Sequence, residues 1–132
     1  LGAMAWTRGR YSSQAPQPVG PYSQGVRAGD FLHVSAQLPF DPMTGTLIRS
    51  GVRGQTRRVM ENIKAVVEGS GATLAHIVKV TVFLKNLDDF GQMNEVYAEF
   101  FPGEKPARST VEVSRLPKDA VLAIDVVAYL GS

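Results

Sequence analysis

The sequence contains no cysteine, which excludes disulfide bonds, thiolate catalysis and thiolate-ligated zinc. Its only histidines, His33 and His76, form no His-Glu-x-x-His motif, and no other spacing typical of metal ligands occurs. No phosphate-binding Gly-x-x-x-x-Gly-Lys loop and no Gly-x-Ser-x-Gly elbow is present. No apolar run approaches the roughly 20 residues of a membrane-spanning helix. We therefore expect neither a zinc site nor a membrane segment.

The sequence also has only a small excess of positive charge, +2 at pH 7. Fourteen Lys+Arg face twelve Asp+Glu, and Arg8 and Arg10 lie in an N-terminal stretch outside the expected fold. Net charge therefore gives no support to nucleic-acid binding. No basic segment precedes an apolar one at the N-terminus, so we expect a cytoplasmic protein.

The 132 residues suit one domain. We expect a flexible arm over 1–14, with 1–3 interpreted as an expression remnant, and one domain over 15–132. Apolar periodicity within it predicts an α+β domain of order ββ-α-β-α-ββ, a mixed sheet with two helices on one face. The predicted strands are 23–28, 31–38, 77–84, 108–113 and 121–129, and the first predicted helix is 51–68. A second helix is capped by Asp88 or Asp89, and its apolar stripe is Phe90, Met93, Tyr97, Phe100 and Phe101. In the strand 31–38, one face is formed by Leu32, Val34, Ala36 and Leu38.

The last predicted strand is apolar on both faces. Leu122 and Ile124 alternate with Ala123 along it, and only Asp125 is charged. Two helices can cover only one face of such a sheet, so the other face must be buried elsewhere. The pattern therefore predicts a homo-oligomer.

Three basic side chains, Arg49, Arg53 and Arg57, form a stripe along the first helix. A solvated helix face is the first interpretation, and contact with nucleic acid is the alternative. The Gly69-Ser70-Gly71 segment follows this helix instead of opening one, so it is interpreted as a helix stop and not as a dinucleotide site.

Two charged residues in predicted strands invite a functional interpretation. Arg108 shares a strand face with Thr110 and Glu112, so it either pairs with an acid or clamps a carboxylate ligand through two parallel hydrogen bonds. Asp125 needs a partner because a buried carboxylate is costly when unpaired. Structural pairing and catalysis are both open for Asp125.

The sequence resembles the Rid proteins, the reactive intermediate deaminases also called the YjgF-type family, from about Pro18 to Tyr129. Its blocks occur in the family's order, and together they are specific although each alone is weak. They are Gly20–Gly25, Val34–Gln37, Asp41-Pro42 with Thr44-Gly45, Gln55 through Asn62-Ile63, Val78–Leu84, Phe90 with Met93-Asn94 and Tyr97, Pro106–Ser109, and Leu116–Asp119.

The resemblance implies a chorismate-mutase-like fold and a homotrimer with clefts between subunits. It implies hydrolysis of small 2-imino acids, and of their enamine tautomers, to 2-oxo acids and ammonia without metal or cofactor. Arg108 matches the arginine that grips the substrate carboxylate and is the catalytic candidate. The other substrate-binding residues that the resemblance implies are Tyr22, Ser35, Ala36 through its peptide N–H, Asn94 and Thr110.

Two positions depart from the family pattern: Lys105 stands where an aromatic residue often precedes Pro-Ala-Arg, and a second departure bears on catalysis. The last strand of characteristic deaminases places a water-holding glutamate where this sequence has Ala123, while Asp125 matches a second acid two residues on. Three functions stay open at this point: an imino-acid deaminase, a non-catalytic binder of small carboxylates, and a module that contacts protein or RNA.

Overall fold

The computed structural model describes residues 8–131. These residues form six β-strands and two α-helices, in the predicted order with one strand added at the start. The elements are β1 (Arg8–Arg10), β2 (Gly25–Ala28), β3 (Phe31–Gln37), α1 (Gly51–Gly69), β4 (Ile77–Leu84), α2 (Phe90–Glu99), β5 (Ala107–Glu112) and β6 (Leu122–Tyr129). The predicted α+β class is confirmed.

The strands form a single mixed sheet in the order β1-β2-β3-β6-β4-β5. Neighbouring strands run antiparallel except β4 and β5, which are parallel. The chain therefore crosses from β4 through α2 to β5, which lies at one edge of the sheet. Both helices pack on one face, where a single apolar core joins helix and strand side chains such as Ile63, Met93, Val80 and Ile124.

The helices also contact each other through charged side chains. Arg53 pairs with Glu95, and Arg57 contacts Glu99 with an N–O distance of 2.9 Å. Both pairs are exposed, so each stabilises the fold only slightly. The hydrogen bond from Arg57, and then its charge, hold the pKa of Glu99 below its usual value. Arg53 and Arg57, two of the three residues of the predicted basic stripe, thus each pair with an acidic side chain of α2. This pairing favours the interpretation of the stripe as a solvated helix face over contact with nucleic acid.

Strand β3 departs from the predicted alternation. Val34 pairs with Val126 but Gln37 pairs with Ile124, so β3 holds one residue more than β6 between these points. This β-bulge reverses the faces that follow it. Gln37 is buried, and Ala36, predicted to share the core face of Val34, is exposed instead.

The predicted N-terminal arm is only partly irregular. Residues 8–10 of the arm form β1 and pair with β2, while residues 1–7 lie outside the described residues. The next segment is tied down by Gln24, whose buried side-chain amide donates to the carbonyl oxygens of Ser12, Ala15 and Pro16 at 2.8–3.3 Å. Satisfying these buried backbone groups fixes the entry of the chain into β2.

Along β6, the sheet face opposite the helices is apolar except for Asp125, as the last strand predicted. Ala123 and Val127 lie on it, and Phe31 and Tyr129 stack there with ring centroids 5.2 Å apart, each about two-fifths exposed. We call this surface the open face. Within residues 8–131, no helix combines the length and the hydropathy needed to cross a membrane.

Candidate functional site

Arg108 lies on the edge strand β5 and points to the helix side of the sheet. Its guanidinium carbon is 4.7 Å from the ring centroid of Tyr97 and 5.5 Å from that of Phe90, both on α2. Phe90 and Tyr97 are seven residues apart on one helix face, so two successive rings support one planar cation. We call Phe90 and Tyr97 the aromatic platform.

No carboxylate pairs with this guanidinium among the described residues. Glu112, the predicted alternative partner, instead accepts a hydrogen bond from the backbone N–H of Leu87 at 2.8 Å. Arg108 is half-buried and keeps its donors available. An oriented, unpaired arginine of this kind can bind a carboxylate through two parallel hydrogen bonds.

Asn94 and Thr110 lie on the same side of the sheet as Arg108. Asn94 is on the platform face of α2, between Phe90 and Tyr97, and Thr110 follows Arg108 by two residues on β5. The hydroxyl oxygens of Tyr97 and Thr110 are buried, and neither has a hydrogen-bond partner within residues 8–131. Burial raises the pKa of Tyr97, and the positive charge of Arg108 opposes that rise. Unpaired polar atoms beside a free cation are typical of a site that a ligand completes.

The remaining predicted residues line a pocket of about 490 Å³ on the open face. We call it the open-face pocket. Its walls are Val19, Tyr22, Ser35, Ala36, Leu38, Phe83, Leu116, Pro117 and Ala123. The bulge in β3 is what places Ala36 here beside Ser35, since a regular strand would turn Ala36 into the core. The wall at Leu116 and Pro117 continues into Lys118 and Asp119, whose φ angles of 57° and 58° are strained for non-glycine residues.

The structure therefore divides the predicted site residues into two groups. Arg108, Asn94 and Thr110 lie on the helix side of the sheet edge, whereas Tyr22, Ser35 and Ala36 lie in the open-face pocket. Because the sheet separates the two groups, a single chain does not bring the clamp and the pocket into one cleft.

Several polar residues of the sequence blocks serve the fold. The Asn62 amide donates to the carbonyl oxygens of Leu38 and Phe40 at 3.1 and 3.0 Å. The Gln55 amide donates to the carbonyl of Ile48, and its oxygen accepts from the N–H of Val121 at 3.0 Å. These side chains hold the loop after β3 and the start of β6, two walls of the open-face pocket. Among residues 8–131, no three His, Asp or Glu side chains cluster as metal ligands would.

Asp125 lies near two groups that can pair with it, which its position in an apolar strand requires. It lies on the open face beside its cross-strand neighbour Thr81 and near Lys79, whose ammonium donates to the Ser109 hydroxyl at 2.9 Å. Burial raises the pKa of Asp125, and the Thr81 hydroxyl and the charge of Lys79 partly oppose this. Asp125 does not line the open-face pocket, so structural pairing is the better interpretation.

Replacing Asp125 with asparagine is expected to raise the melting temperature at pH 7. Because the pKa of Asp125 is raised in the folded state, folding favours the neutral carboxyl. The neutral carboxyl therefore stabilises the fold at a pH below the pKa of the unfolded state, and this stabilisation is lost as pH rises through the pKa of the folded state. At pH 7 the charged carboxylate is thus a cost that asparagine removes. The gain should shrink as pH falls below about 4, where the wild-type carboxyl is neutral in both states. Melting curves at both pH values test this, with Asp88→Asn as an exposed control. A lower melting temperature at pH 7 would show that Thr81 and Lys79 outweigh burial.

The aromatic platform yields a second prediction. Tyr97→Leu removes the ring beneath Arg108, and loss of a partly desolvated cation–π contact of about 1–2 kcal/mol should weaken binding of a small carboxylate roughly 5- to 30-fold. Tyr97→Phe keeps the ring and removes only the hydroxyl, so its affinity should fall less than that of the leucine variant. Calorimetry with 2-oxobutanoate gives both dissociation constants. Equal affinities for the leucine and phenylalanine variants would mean that the ring does not position Arg108.

Fold and site together define a small α+β protein with an unpaired arginine at a sheet edge and an apolar pocket on the opposite face. A family model described as "Endoribonuclease L-PSP" matches residues 12–130. The chain therefore belongs to this family, the YjgF-type or Rid proteins, as the resemblance in sequence had implied.

Individual relatives cover nearly the whole chain. A RutC family protein of Pyrococcus horikoshii is 52% identical over 119 residues, 90% of this chain and 94% of the relative. A 2-iminobutanoate/2-iminopropanoate deaminase of Salmonella typhimurium is 45% identical over 120 residues, 89% and 93% of the two chains. The solved structure of TdcF from E. coli with bound serine superposes on this chain with a TM-score of 0.90 at 40% identity. The superposition covers 94% of this chain and 99% of TdcF. The predicted chorismate-mutase-like fold is confirmed by these structural neighbours.

Proposed function

We propose that this protein is a cytoplasmic homotrimer that hydrolyses small 2-imino acids, and their enamine tautomers, in clefts between subunits. The observation that carries the proposal is Arg108, a half-buried arginine held on two aromatic rings without an acid partner among the described residues. Its geometry suits a planar carboxylate, which every 2-imino acid has.

The reaction asks little of the protein beyond positioning. Water adds to the C=N carbon, the C–N bond then breaks, and one 2-oxo acid and one ammonia leave for each water consumed. A carboxylate fixed at Arg108 holds the neighbouring imine carbon at a defined place, and such orientation by itself lowers the barrier. The peptide N–H of Ala36 is proposed as the second anchor of the carboxylate.

An assembly of several chains supports the proposed cleft. Arg108 lies at the β5 edge and the open-face pocket on the other side of the sheet, so a cleft needs the edge of one copy against the open face of the next. Such a contact joins two different surfaces and closes only as a ring, whereas a two-fold dimer would join identical ones. The exposed pair Phe31 and Tyr129 offers apolar area for that contact. A trimer is the ring that the family resemblance implies.

The names of two relatives are consistent with this proposal. The Salmonella typhimurium relative is named for deamination of 2-iminobutanoate and 2-iminopropanoate. The E. coli relative was solved with serine, a small amino acid whose carboxylate is the group that Arg108 suits. Transfer of either property to this chain is part of the proposal.

A coupled assay tests the activity directly. A threonine or serine dehydratase generates 2-iminobutanoate or 2-iminopropanoate in place, and semicarbazide traps the imine that survives. We expect the protein to reduce semicarbazone formation in proportion to its concentration. Semicarbazone yields equal to those without protein, over the full range of protein added, would reject the deaminase.

A non-catalytic carboxylate binder is the second candidate, favoured by one observation. Among the described residues, no carboxylate, imidazole or amine lines the open-face pocket, and Ala123 stands where the family pattern has a water-holding glutamate. Tight binding of 2-oxobutanoate without any effect on imine lifetime would select this function. An RNA-binding role has little support, since Arg53 and Arg57 are paired with acids of α2.

A further inference from the structure

The open-face pocket is unusually apolar for a site that is to hold a three- or four-carbon acid. Its volume of about 490 Å³ falls among pockets that enclose ligands of many more atoms. Most of its walls are aliphatic or aromatic, with Phe83 and Ala123 directly opposite each other on neighbouring strands. A side chain of one or two carbons would leave most of this apolar surface uncovered.

Only two of the described walls of the pocket carry polar side chains, and each already makes one hydrogen bond. The Ser35 hydroxyl donates to the carbonyl of Ser23 at 2.6 Å, and the Tyr22 hydroxyl accepts from the N–H of Val19 at 3.3 Å. Ser35 can therefore still accept a hydrogen bond and Tyr22 can still donate one. The remaining walls offer the part of a ligand within the pocket apolar contact.

Ala123 determines how much of this space is open. It is buried in β6 and faces the pocket, with Phe83 beside it and Leu116 and Pro117 among the other walls. A longer polar side chain at this position would project into the pocket, reduce its volume and place a hydrogen-bonding group in it. The methyl group instead continues the apolar wall.

We infer that the open-face pocket selects 2-imino acids with bulky apolar side chains, branched aliphatic ones above all, over the three- and four-carbon compounds. This rests on the proposed function, with the carboxylate at Arg108 of one copy and the apolar side chain against Phe83 and Ala123 of the next. Ala123 is then the specificity-determining residue, because it sets the depth available to that side chain.

A ligand series tests the inference without requiring turnover. Calorimetry compares pyruvate, 2-oxobutanoate and 4-methyl-2-oxopentanoate, the hydrolysis products of the corresponding imines. Each buried methylene is expected to lower the dissociation constant about fourfold, or roughly 60-fold over the three added carbons. A dissociation constant that stays flat or rises with side-chain size overturns the inference, as does failure of all three acids to bind.

Variants at the pocket assign the selectivity to one residue. Ala123→Gln and Ala123→Glu should both remove most of the preference for 4-methyl-2-oxopentanoate, because both fill the pocket, and the glutamine variant does so without charge. Ala75→Gln, the same substitution at an exposed position, should leave the series unchanged. Full selectivity in Ala123→Gln would overturn the role of Ala123.

The two proposals fail separately. Semicarbazide trapping of imines that an amino-acid oxidase makes from alanine and leucine reports turnover. If the binding series shows the expected slope but neither imine is hydrolysed, selection by the pocket stands and the deaminase is rejected. If imines are hydrolysed but the leucine-derived imine is not preferred and the binding slope is absent, the deaminase stands and pocket selection is overturned.

Discussion

Arg108→Ala is expected to weaken binding of 2-oxobutanoate about 100-fold or more and to abolish imine hydrolysis. Removing one partner of a desolvated, hydrogen-bonded charge pair typically costs about 2–5 kcal/mol, and alanine removes the guanidinium that forms the proposed clamp. Calorimetry and the trapping assay provide the two readouts. The fold should persist, because the half-buried guanidinium makes no ion pair with the described residues.

Two further variants show whether geometry or charge is responsible. Arg108→Lys keeps the charge but loses both the planar fork and the stacking on Phe90 and Tyr97, so most of the affinity should still be lost. Arg115→Ala removes an exposed arginine from the same region and should behave as wild type. If lysine restored wild-type affinity, a point charge would be sufficient and the bidentate clamp would be wrong.

Mixing variants tests whether the clamp and the pocket come from different chains. Arg108→Ala removes the clamp, and Ala123→Trp fills the pocket, so each variant alone should be inactive. A mixed ring contains one junction where an intact Arg108 meets an intact pocket, and co-expression should therefore restore part of the activity. Activity that never returns in proven mixed assemblies would place the whole site within one chain.

The elements of this fold follow from local patterns in the sequence. The 3.6-residue spacing of Val59, Ile63 and Val66 predicts α1 because these side chains must reach one core. The β-branched run 77–84 predicts β4 with its observed bounds. The bulge in β3 could not be predicted, because an extra residue changes pairing without changing composition. The predicted face of Ala36, shared with Val34, was therefore wrong: Ala36 is exposed on the opposite side of the sheet.

The candidate site was predictable to a different extent in its two halves. Arg108 stood out because a cation in a strand needs a partner, and its face could be counted along the strand. Phe90 and Tyr97 were part of an apolar helical stripe, which is usually core. Their seven-residue spacing fits a platform beneath Arg108, but only the parallel placement of β5 beside β4 shows that the cation reaches them. Contacts between distant segments determine such a site, and periodicity does not report them.

Ala123→Glu is expected to raise the rate of 2-iminopropanoate hydrolysis, the reverse of what most substitutions in a site do. A carboxylate inside the pocket can accept a proton from the attacking water, and a well-placed general base typically contributes about 10²–10⁴-fold. We expect an increase near the lower end of that range, because the surrounding walls are not arranged for a charged group. Ala123→Gln supplies the same bulk without a base and should show no increase.

The pH profile separates this mechanism from improved binding. The apolar walls around Ala123 should raise the pKa of the introduced carboxylate above the usual value of about 4.3. Only the ionised form acts as a base, so kcat of the variant should rise with pH through that pKa and then level off. The wild-type protein has no such group in the pocket, and its profile should lack this limb. An increase in rate with an unchanged pH profile would mean that the carboxylate acts on substrate binding and not on water.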